Sequence, residues 1–456
     1  MPALRLLQAP LASLALLAAA GAAQGATEPA LDPAQPALTC YTNITLIDGS
    51  GMPARPAMAV EVDGERIRAV LPIAALPART QPGMTVVDLK GAWVLPGLVD
   101  THEHVGTSPN RRVAEANLRR CLYGGITAMR DMAGDARFLA ELAREARLGE
   151  IASPDIHYSA LMAGPGFFND PRTHMAARGA QPGAVPWLQA ITPKTDLRTA
   201  VTLARGCGAS GIKVYADLSP ELIAAIVAEA HRQNFPVWSH ATVFPSLPAD
   251  SVAAGVDSIS HAYLLGYPFM VPTPNSYATK LPVDPAKVHE DDPRLQKLFA
   301  EMRRRGTILD ATLTAYVETD RQAGAKSLGR GAIAERLAAA AYRAGVLISV
   351  GTDHAGAPDS PAPALNEEME LLVEKAGMSP ADVVHAATQV GARALKLDAE
   401  MGTVEPGKLA NLLVVAKNPL ADIRALREVI LTVKRGKAYP RIDYHQPAPD
   451  DLDGVW

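Results

Sequence analysis

The chain of 456 residues is too long for one small domain, and its hydrophobic content of 48% allows a large buried core. Only 5% of the residues are aromatic, so we expect a core made mainly of aliphatic side chains and alanine. Lys and Arg number 44 against 48 Asp and Glu, which gives a net charge of −4 without a long basic run. This balance argues against nucleic acid or an anionic membrane as a partner.

The N-terminal segment has the pattern of a secretory signal peptide. Arg5 precedes an apolar stretch from about Ala9 to Ala20, and small residues follow that stretch. The apolar run is shorter than a membrane-spanning helix requires. We therefore predict a cleaved signal peptide at residues 1–26, a loose leader at 27–37, no stable membrane span and a periplasmic or secreted protein. The alternative is an uncleaved amphipathic anchor.

The cysteine content is low for an exported protein. Cys40, Cys121 and Cys207 are the three cysteines, and no two of them form a CxxC pair. An odd count leaves at least one thiol unpaired. We predict that cysteine has a structural role here, and the pattern leaves open whether one disulfide forms.

Both ends of the remaining sequence have the pattern of short β-strands. Residues 38–95 contain MAVEVDGERIRAV, in which Asp63-Gly64 is a hairpin signal. Residues 401–445 contain NLLVVAKNPL and VILTVKRGKAY, which have the same style. Because chain ends commonly lie close together, we predict that the two segments form one small composite β-sandwich domain, followed by a tail at 446–456.

Strand-like and helix-like stretches alternate through residues 96–400. The strand candidates are LVDTHEH, TAMRDM, IHYSAL, IKVYA, VWSHA, SISHAY, ILDATL and LISVGTD. Eight strands with intervening helices predict an α/β fold of the (β/α)8 TIM-like barrel type. Periodicity alone does not close the barrel, so an open parallel sheet is the alternative.

Two histidines at the end of the first barrel strand candidate predict a metal site. Side chains alternate along a strand, so His102 and His104 point to one face and Glu103 to the other. At the C-terminal mouth of a barrel, such a pair can bind a metal ion with two nitrogens. The plain alternative is two polar residues at a strand end.

His240 and His261 each end a further apolar run, VWSH and SISH, one strand–helix unit apart. That spacing fits neighbouring barrel strands, and imidazole is a suitable ligand for zinc and similar ions. Either histidine alone could be a hydrogen-bonded core residue. Together with the first pair, they predict a metal centre.

Asp353 ends LISVGTD, the last strand candidate. A carboxylate at this position could bind metal, accept a proton from water and deliver it to a leaving group. The alternative is a helix N-cap, a position that Asp often occupies.

Lys213 lies within the apolar strand candidate GIKVY. Burial should lower the pKa of its ammonium, and a neutral amine can react with carbon dioxide to form a carbamate, an anion able to bridge two cations. The alternative is an ammonium that pairs with a carboxylate such as Asp131.

Three other residues and one segment are candidates for contact with the substrate. Tyr215 shares the face of Lys213 and could donate a hydrogen bond to a developing oxyanion, or simply pack in the barrel. His354 and His174 lie in loops after strand candidates and could line the pocket. The long, Pro-rich segment 265–295 is predicted to be a lid or a pocket rim.

The motifs LPGLVDTHEH, GIKVY, the two SHA tripeptides and GTDHAG together resemble the amidohydrolase superfamily, in its binuclear branch with a carboxylated lysine. The resemblance covers roughly residues 38–440. It is greatest for imidazolonepropionase-like and prolidase-like members, which include Xaa-Pro and Xaa-Arg dipeptidases and ochratoxin-type amidases. The flanking β segments resemble the composite sandwich domain of that family.

The resemblance implies two divalent ions, with zinc as the default, and a small-molecule amide or peptide substrate. It implies His102, His104 and Asp353 on the more buried ion, His240 and His261 on the exposed ion, and carboxylated Lys213 between them. A hydroxide between the ions would attack a carbonyl, and Asp353 would protonate the departing amine. Related proteins often assemble, so a homo-oligomer is also compatible.

We therefore predict a metal-dependent hydrolase that cleaves the amide bond of a dipeptide or an N-acyl amino acid. The alternatives are a cyclic-amide or lactone hydrolase, or a deaminase of the same fold. The Ala-Thr-Val that follows His240 departs from the deaminase pattern, in which a glutamate stands three residues on. A non-catalytic scaffold is the least favoured alternative because all six ligand candidates are present.

Overall fold

The computed structural model describes residues 38–356 and 360–447. The predicted signal peptide at 1–26, the leader at 27–37 and residues 448–456 of the predicted tail lie outside this part of the chain. Within it, Cys40, Cys121 and Cys207 are free thiols. No helix in the described ranges is long and apolar enough to cross a bilayer.

The strands, in chain order, are β1 (Thr39–Leu46), β2 (Arg55–Asp63), β3 (Arg66–Pro72), β4 (Thr85–Asp88), β5 (Trp93–Pro96), β6 (Leu98–Glu103), β7 (Ile126–Asp131), β8 (Asp155–Ala163), β9 (Ala184–Val185), β10 (Leu188–Ala190), β11 (Gly211–Val214), β12 (Val237–His240), β13 (Ser258–Ser260), β14 (Ile308–Asp310), β15 (Ile348–Ser349), β16 (Leu412–Val415), β17 (Val429–Lys434) and β18 (Lys437–Pro440). The α-helices are α1 (Arg111–Tyr123), α2 (Ala136–Leu148), α3 (Pro171–Ala176), α4 (Leu197–Gly206), α5 (Pro220–Arg232), α6 (Pro248–Ala254), α7 (Pro293–Arg305), α8 (Leu313–Ala323), α9 (Arg330–Arg343), α10 (Leu365–Glu374), α11 (Pro380–His385) and α12 (Gly391–Ala394).

Eight parallel strands form the central barrel. They pair in the order β6, β7, β8, β11, β12, β13, β14 and β15. The last strand returns to the first, because the Thr101 amide donates to the Val350 carbonyl at 2.9 Å and the Asp353 amide to the His102 carbonyl at 2.8 Å. The barrel prediction is confirmed, and the open parallel sheet is not what forms.

Helix α5 illustrates why the intervening segments are helical. The Ser219 hydroxyl accepts a hydrogen bond from the Leu222 amide at 3.4 Å, and Pro220 occupies the first turn. The residues at helical spacing along one face are buried: Ile223, Ile226, Val227 and Ala230. That apolar face packs against the barrel. Because all eight strands are parallel, their carboxyl ends meet at one mouth of the barrel.

The other sheet is built from the two ends of the described chain, as predicted. Its strands follow the order β18, β17, β16, β5, β1, β2, β3, and β4 pairs with β1. The hairpin at Asp63-Gly64 joins β2 to β3, with Asp63 opposite Arg66. Its own apolar cluster includes Ile44, Val60 and Val433, so this composite domain has a core separate from that of the barrel.

A buried ion-pair network joins the composite domain to the end of the barrel opposite the mouth. Asp155, the first residue of β8, lies 2.9 Å from the Lys434 ammonium and 2.6 Å from the Arg435 guanidinium. Lys434 also donates to the carbonyls of Ala146, at 2.5 Å, and Ser153, at 2.9 Å. Each buried charge in this network therefore has a close partner.

Candidate active site

The barrel mouth brings together polar side chains that are far apart in the sequence. Those predicted as metal ligands lie at or just beyond the ends of β6, β11, β12, β13 and β15. They are His102, His104, Lys213, His240, His261 and Asp353. Among them, Lys213 is fully buried and His102, His240 and His261 are each less than 5% exposed.

The backbone turns sharply where two of these side chains enter the mouth. His261 has a φ of 78° and Asp353 a φ of 49°, in the left-handed region that residues with a Cβ rarely adopt. Thr312, after β14, has a φ of 51°. Such turns immediately after barrel strands aim the side chains inward at a cost in backbone energy, which is typical of functional sites.

Asp353 is the centre of the cluster. One carboxylate oxygen lies 3.1 Å from Nε2 of His104 and 3.7 Å from Nε2 of His102, and the other lies 3.8 Å from Nδ1 of His261. Ligand atoms of His102, His261 and Asp353 all lie within 4.8 Å of one another. His240 continues the cluster, with its ring centroid 4.7 Å from that of His261.

The histidines are largely poised as neutral ligands. Burial lowers the pKa of His102 to about 4 and the pKa values of His240 and His261 well below the ordinary range. Burial also opposes charge on His104, but the adjacent Asp353 carboxylate outweighs it and raises the pKa of that ring. Neutral imidazoles are the form that binds metal ions.

Lys213 is a buried amine with few hydrogen-bond partners among the described residues. Its Nζ donates to the Ser260 hydroxyl at 3.3 Å, and burial lowers its pKa to about 7. The carboxylate of Asp131, the predicted alternative partner, instead accepts the amides of Gly106 at 2.9 Å and Ala133 at 3.1 Å. The ion pair between Lys213 and Asp131 is therefore not formed.

The donor set fits divalent metal ions. Imidazole nitrogens and a carboxylate oxygen converge within ligand range, as zinc and related ions require. Nδ1 of His240 is buried and has no hydrogen-bond partner among the described residues. A buried polar atom without a partner is rare, and His240 belongs to the cavity lining, where an ion could engage it.

Asp310 is a site residue that the sequence reasoning did not single out. Its carboxylate lies 2.6 Å from Nδ1 of His102 and 3.3 Å from the guanidinium of buried Arg130, and it accepts the Ser260 hydroxyl at 3.0 Å. Burial opposes ionisation, but the His102 ring outweighs it and the pKa of Asp310 is lowered to about 2. A carboxylate behind a metal-binding histidine fixes its tautomer and orientation.

Thr312 has a similar role at His261, since its hydroxyl lies 2.9 Å from Nδ1 of that ring. Asp310 and Thr312 have the same sequence signal as the histidines, which is an apolar run that ends in polar residues. ILDAT is a strand candidate that ends in polar residues at the same rim.

A cavity with two lobes opens over the cluster. The residues common to both lobes are Arg172, Tyr215, His240, His261 and Asp353. The first lobe, of about 270 Å³, is mainly apolar and is lined by Met132, Leu161, Phe167, Ala176 and Leu188. The second, of about 370 Å³, is lined by Tyr263, Tyr267, Tyr277, Tyr316, Lys280 and Arg330.

Tyr215 lies at the junction of the lobes. Its ring centroid is 3.8 Å from that of His240, 4.5 Å from Phe167 and 5.6 Å from Tyr277. Burial and the neighbouring Tyr277 raise the pKa of Tyr215 well above its ordinary value, so the phenol remains a hydrogen-bond donor. Tyr277 and Lys280 come from the segment predicted as a lid or rim.

Two of the predicted substrate contacts are not at this cavity. His174 is exposed on α3 and lines a separate depression with Ser108 and Asn110. His354 is half-buried beside Glu318 and Glu367, and burial lowers the pKa of its ring. Neither histidine lines either lobe, and their substrate roles remain predictions without support from this geometry.

The protein is thus a barrel with a composite β domain, and a cluster of polar side chains at the barrel mouth could hold a metal ion. The chain belongs to the amidohydrolase family, whose model matches residues 93–439. It is thus an enzyme of the hydrolase class that acts on carbon–nitrogen bonds.

Two named enzymes and one solved structure are similar to the chain. The chain is 28% identical over 439 residues to an ochratoxinase from Aspergillus niger, covering 84% of this chain and 82% of that protein. It is 25% identical over 373 residues to an imidazolonepropionase from Mesorhizobium japonicum, covering 75% and 82%. A crystal structure of a Xaa-Pro dipeptidase with bound methionine has the same fold, with a TM-score of 0.69 and 23% identity, covering 88% of this chain and all (100%) of that one.

Proposed function

We propose that the protein is a binuclear metal hydrolase that cleaves the amide bond of an N-acyl amino acid or a dipeptide. The observation that carries the proposal is the gathering of four imidazoles and the buried amine of Lys213 around Asp353. A site of this composition has more metal-ligating groups than one ion needs.

Two divalent ions, zinc by default, would be held by His102, His104, Lys213 as its carbamate, His240, His261 and Asp353. When bound, such ions make a water nucleophile available near pH ~7 and polarise a carbonyl oxygen. The depressed pKa of Lys213, about 7, supports carboxylation because the neutral amine is the form that reacts with carbon dioxide. Carboxylation is also supported because the Lys213 amine has a single long hydrogen bond, to the Ser260 hydroxyl at 3.3 Å, among the described residues.

Asp353 would move the proton. Its carboxylate is kept ionised because the neighbouring His102 and His104 outweigh the effect of burial and hold its pKa below the ordinary value. It lies at the junction of both lobes, where it could accept a proton from the attacking water and pass it to the departing nitrogen. The Tyr215 phenol at the same junction could donate a hydrogen bond to the developing oxyanion.

The shape of the cavity favours a linear amide over the cyclic alternative. The two lobes share Asp353 but are otherwise lined largely by different residues, so a substrate with a group on each side of the scissile bond could fill both. The names of two similar proteins, an ochratoxinase and a Xaa-Pro dipeptidase, support a small amide as substrate. The similarity to an imidazolonepropionase keeps a cyclic amide as the second candidate.

The test is hydrolysis by protein loaded with zinc, manganese or cobalt, with N-acyl amino acids and dipeptides as substrates and lactones as controls. We expect release of a free amino acid, measured as new primary amine. Asp353→Asn should abolish release, whereas Asp291→Asn, in an exposed loop, should retain it. Turnover of lactones alone, or equal activity of the Asp353→Asn variant, would contradict the proposal.

We further propose export to the periplasm or the exterior, on the basis of the N-terminal signal-peptide pattern. The N-terminal sequence of the protein recovered from the host's exported fraction should begin near residue 27. Recovery of an intact Met1 terminus from the cytoplasm would contradict export.

A further inference from the structure

We infer that the two lobes select N-acyl amino acids over dipeptides, with an uncharged acyl group in the first lobe and the amino acid carboxylate in the second. This inference rests on the proposed function, which leaves both substrate classes open. It follows from the different residues that line the two lobes, which meet at Asp353.

The first lobe offers no free counter-charge for an ammonium group. Beyond the residues that it shares with the second lobe, its walls are mainly carbon, and its two threonine hydroxyls can accept a hydrogen bond but carry no charge. The Thr107 hydroxyl donates to the Ala133 carbonyl at 3.2 Å, and the Thr173 hydroxyl donates to the Asp170 carbonyl at 2.7 Å. The one carboxylate among its lining residues is Asp353, which His104 contacts at 3.1 Å.

The free α-ammonium of a dipeptide would therefore be buried in the first lobe without a counter-charge. Removing a charge from water without pairing it is strongly unfavourable. An acyl group that lacks the ammonium has no such penalty and gains contact with Leu161, Phe167 and Leu188.

The second lobe differs from the first because two cationic side chains stand among its tyrosines and aliphatic residues. Lys280 and Arg330 both line it, and among the described residues neither has a carboxylate within ion-pair distance. The Lys280 ammonium lies 3.2 Å from the ring centroid of Tyr277 and donates to the Tyr277 carbonyl at 3.3 Å. Arg330 lies beside Tyr263. Asp170 and Asp217 line an adjoining cavity with these two cations but form no ion pair with either of them. Two cations at one wall, neither held in an ion pair, can form a site for an anion.

Arg172 lines both lobes but does not make the first one anion-binding. Its guanidinium is paired with the Asp170 carboxylate through contacts of 3.0 and 2.8 Å, and it also reaches the Tyr277 hydroxyl at 3.4 Å. Among the residues that line the second lobe, the cations without an ion pair are therefore Lys280 and Arg330.

The orientation of the substrate follows. The carboxylate of an N-acyl amino acid lies on the amine side of the scissile bond, so the amino acid occupies the second lobe. The rings of Tyr263 and Tyr316, with centroids 4.9 Å apart, flank that lobe and suit an aromatic or large apolar side chain. The reverse orientation would move the carboxylate away from Lys280 and Arg330 into the apolar lobe.

The decisive experiment uses two compounds that differ only in the α-ammonium: phenylalanyl-phenylalanine and N-(3-phenylpropanoyl)-phenylalanine. We expect kcat/KM to be higher for the N-acyl compound by ~100-fold, because it leaves no charge buried without a partner. Equal or faster hydrolysis of the dipeptide would overturn the inference and leave the proposed function intact.

Binding provides a readout independent of turnover. Ketomethylene analogues of the two compounds, in which the scissile nitrogen is replaced by carbon, should show the same ranking by calorimetry. If neither amide is hydrolysed, the proposed function fails, and the affinities of the analogues still decide whether the pocket discriminates. Equal affinities would overturn the inference.

Variants test each lobe separately. Lys280→Met and Arg330→Met should each raise KM for the N-acyl compound by ~10-fold through loss of a charge-assisted contact, and should leave KM for its C-terminal amide unchanged. Lys326→Met, at an exposed position, is the control. A rise in KM for both compounds would indicate a purely structural role and contradict the assignment.

In the first lobe, Ala176→Asp should improve hydrolysis of the dipeptide relative to the N-acyl compound, because it supplies the missing counter-charge. Met175→Asp places the same carboxylate on the exposed side of the same short helix and should not change the ratio. An unchanged ratio in a folded Ala176→Asp variant would contradict the inference.

Discussion

Two buried lysines at opposite ends of the barrel are held in different ways. Lys434, at the junction with the composite domain, contacts three acceptors, the carbonyls of Ala146 and Ser153 and the carboxylate of Asp155, all within 2.9 Å. Lys213, at the mouth, has the Ser260 hydroxyl at 3.3 Å. Burial lowers the pKa of both ammonium groups.

The difference distinguishes a structural charge from a reactive one. A buried ammonium with a full set of acceptors is held in its charged form and joins two domains. A buried amine with one weak contact is free to lose its proton and to form a new bond, as groups at functional sites often are. The same residue type at a similar depth is therefore suited to stability at one end and, under the proposed function, to chemistry at the other.

The largest effect is expected for Lys213→Met. Activity should fall by ~1,000-fold or more, because under the proposed function the variant lacks the bridging ligand and would hold both ions less tightly. The unfolding free energy of the metal-free protein should change little, since an apolar side chain replaces a poorly satisfied polar one. An activity assay, metal analysis and denaturant titration measure the activity, the metal content and the unfolding free energy of the variant.

The control for that variant is Lys297→Met on the exposed face of α7, which should retain metal and activity. Full metal occupancy in Lys213→Met would contradict the role of the lysine as a bridging carbamate.

Lys434→Met should lower stability and leave activity unchanged, which is the reverse of the result expected for Lys213→Met. The unfolding free energy should fall by ~3 kcal/mol, because the carbonyls of Ala146 and Ser153 lose their donor and Asp155 keeps only Arg435. The kcat/KM of the folded variant should match that of the unmodified enzyme. A loss of kcat/KM without a loss of stability would break the comparison between the two lysines.

Asp310→Asn tests the residue that joins the lysine site to the first histidine. Asparagine keeps the shape but removes the charge that orients His102, so activity or metal affinity should fall by ~100-fold. Asp257→Asn is a matched control at the start of the neighbouring strand, where the carboxylate pairs with Lys396 at 2.7 Å. Equal effects of the two variants would indicate a general loss of structure rather than a role at the site.

The smallest effect is expected for Thr312→Val. The substitution keeps the branched side chain and removes the hydroxyl that lies 2.9 Å from Nδ1 of His261. Metal affinity should fall by ~10-fold, measured by competition with a chelator, while the melting temperature of the metal-free protein stays close to the original. A large fall in that temperature would show that the hydroxyl serves folding instead.

The sequence predicts the barrel mouth well because its signals are local. Each of His102, His240, His261 and Asp353 follows an apolar run, and parallel strands bring such positions together without further information. Closure of the barrel carries no local signal, since it depends on contacts such as that between Thr101 and Val350, far apart in the chain.

The loop residues could not be placed in the same way. His174 follows the third barrel strand in the sequence, which favours a place near the substrate, but helix α3 buries Thr173 and Ala176 and leaves the intervening His174 exposed. Tyr277 reaches the cavity because its amide donates to the Asp217 carboxylate at 2.8 Å, a contact that no periodicity reveals.

The contact between Tyr277 and Asp217 also shows which part of the cavity wall can be exchanged without changing the barrel. The stretch that carries Tyr277 and Lys280 is fastened to the rest of the molecule at a few points, among them Asp217 and the Tyr263 hydroxyl, which accepts the Val283 amide at 2.8 Å. None of its residues belongs to a barrel strand. Exchanging this stretch alone should therefore yield enzymes with new substrate preferences and an unaltered reaction, a practical route for engineering by loop transplantation.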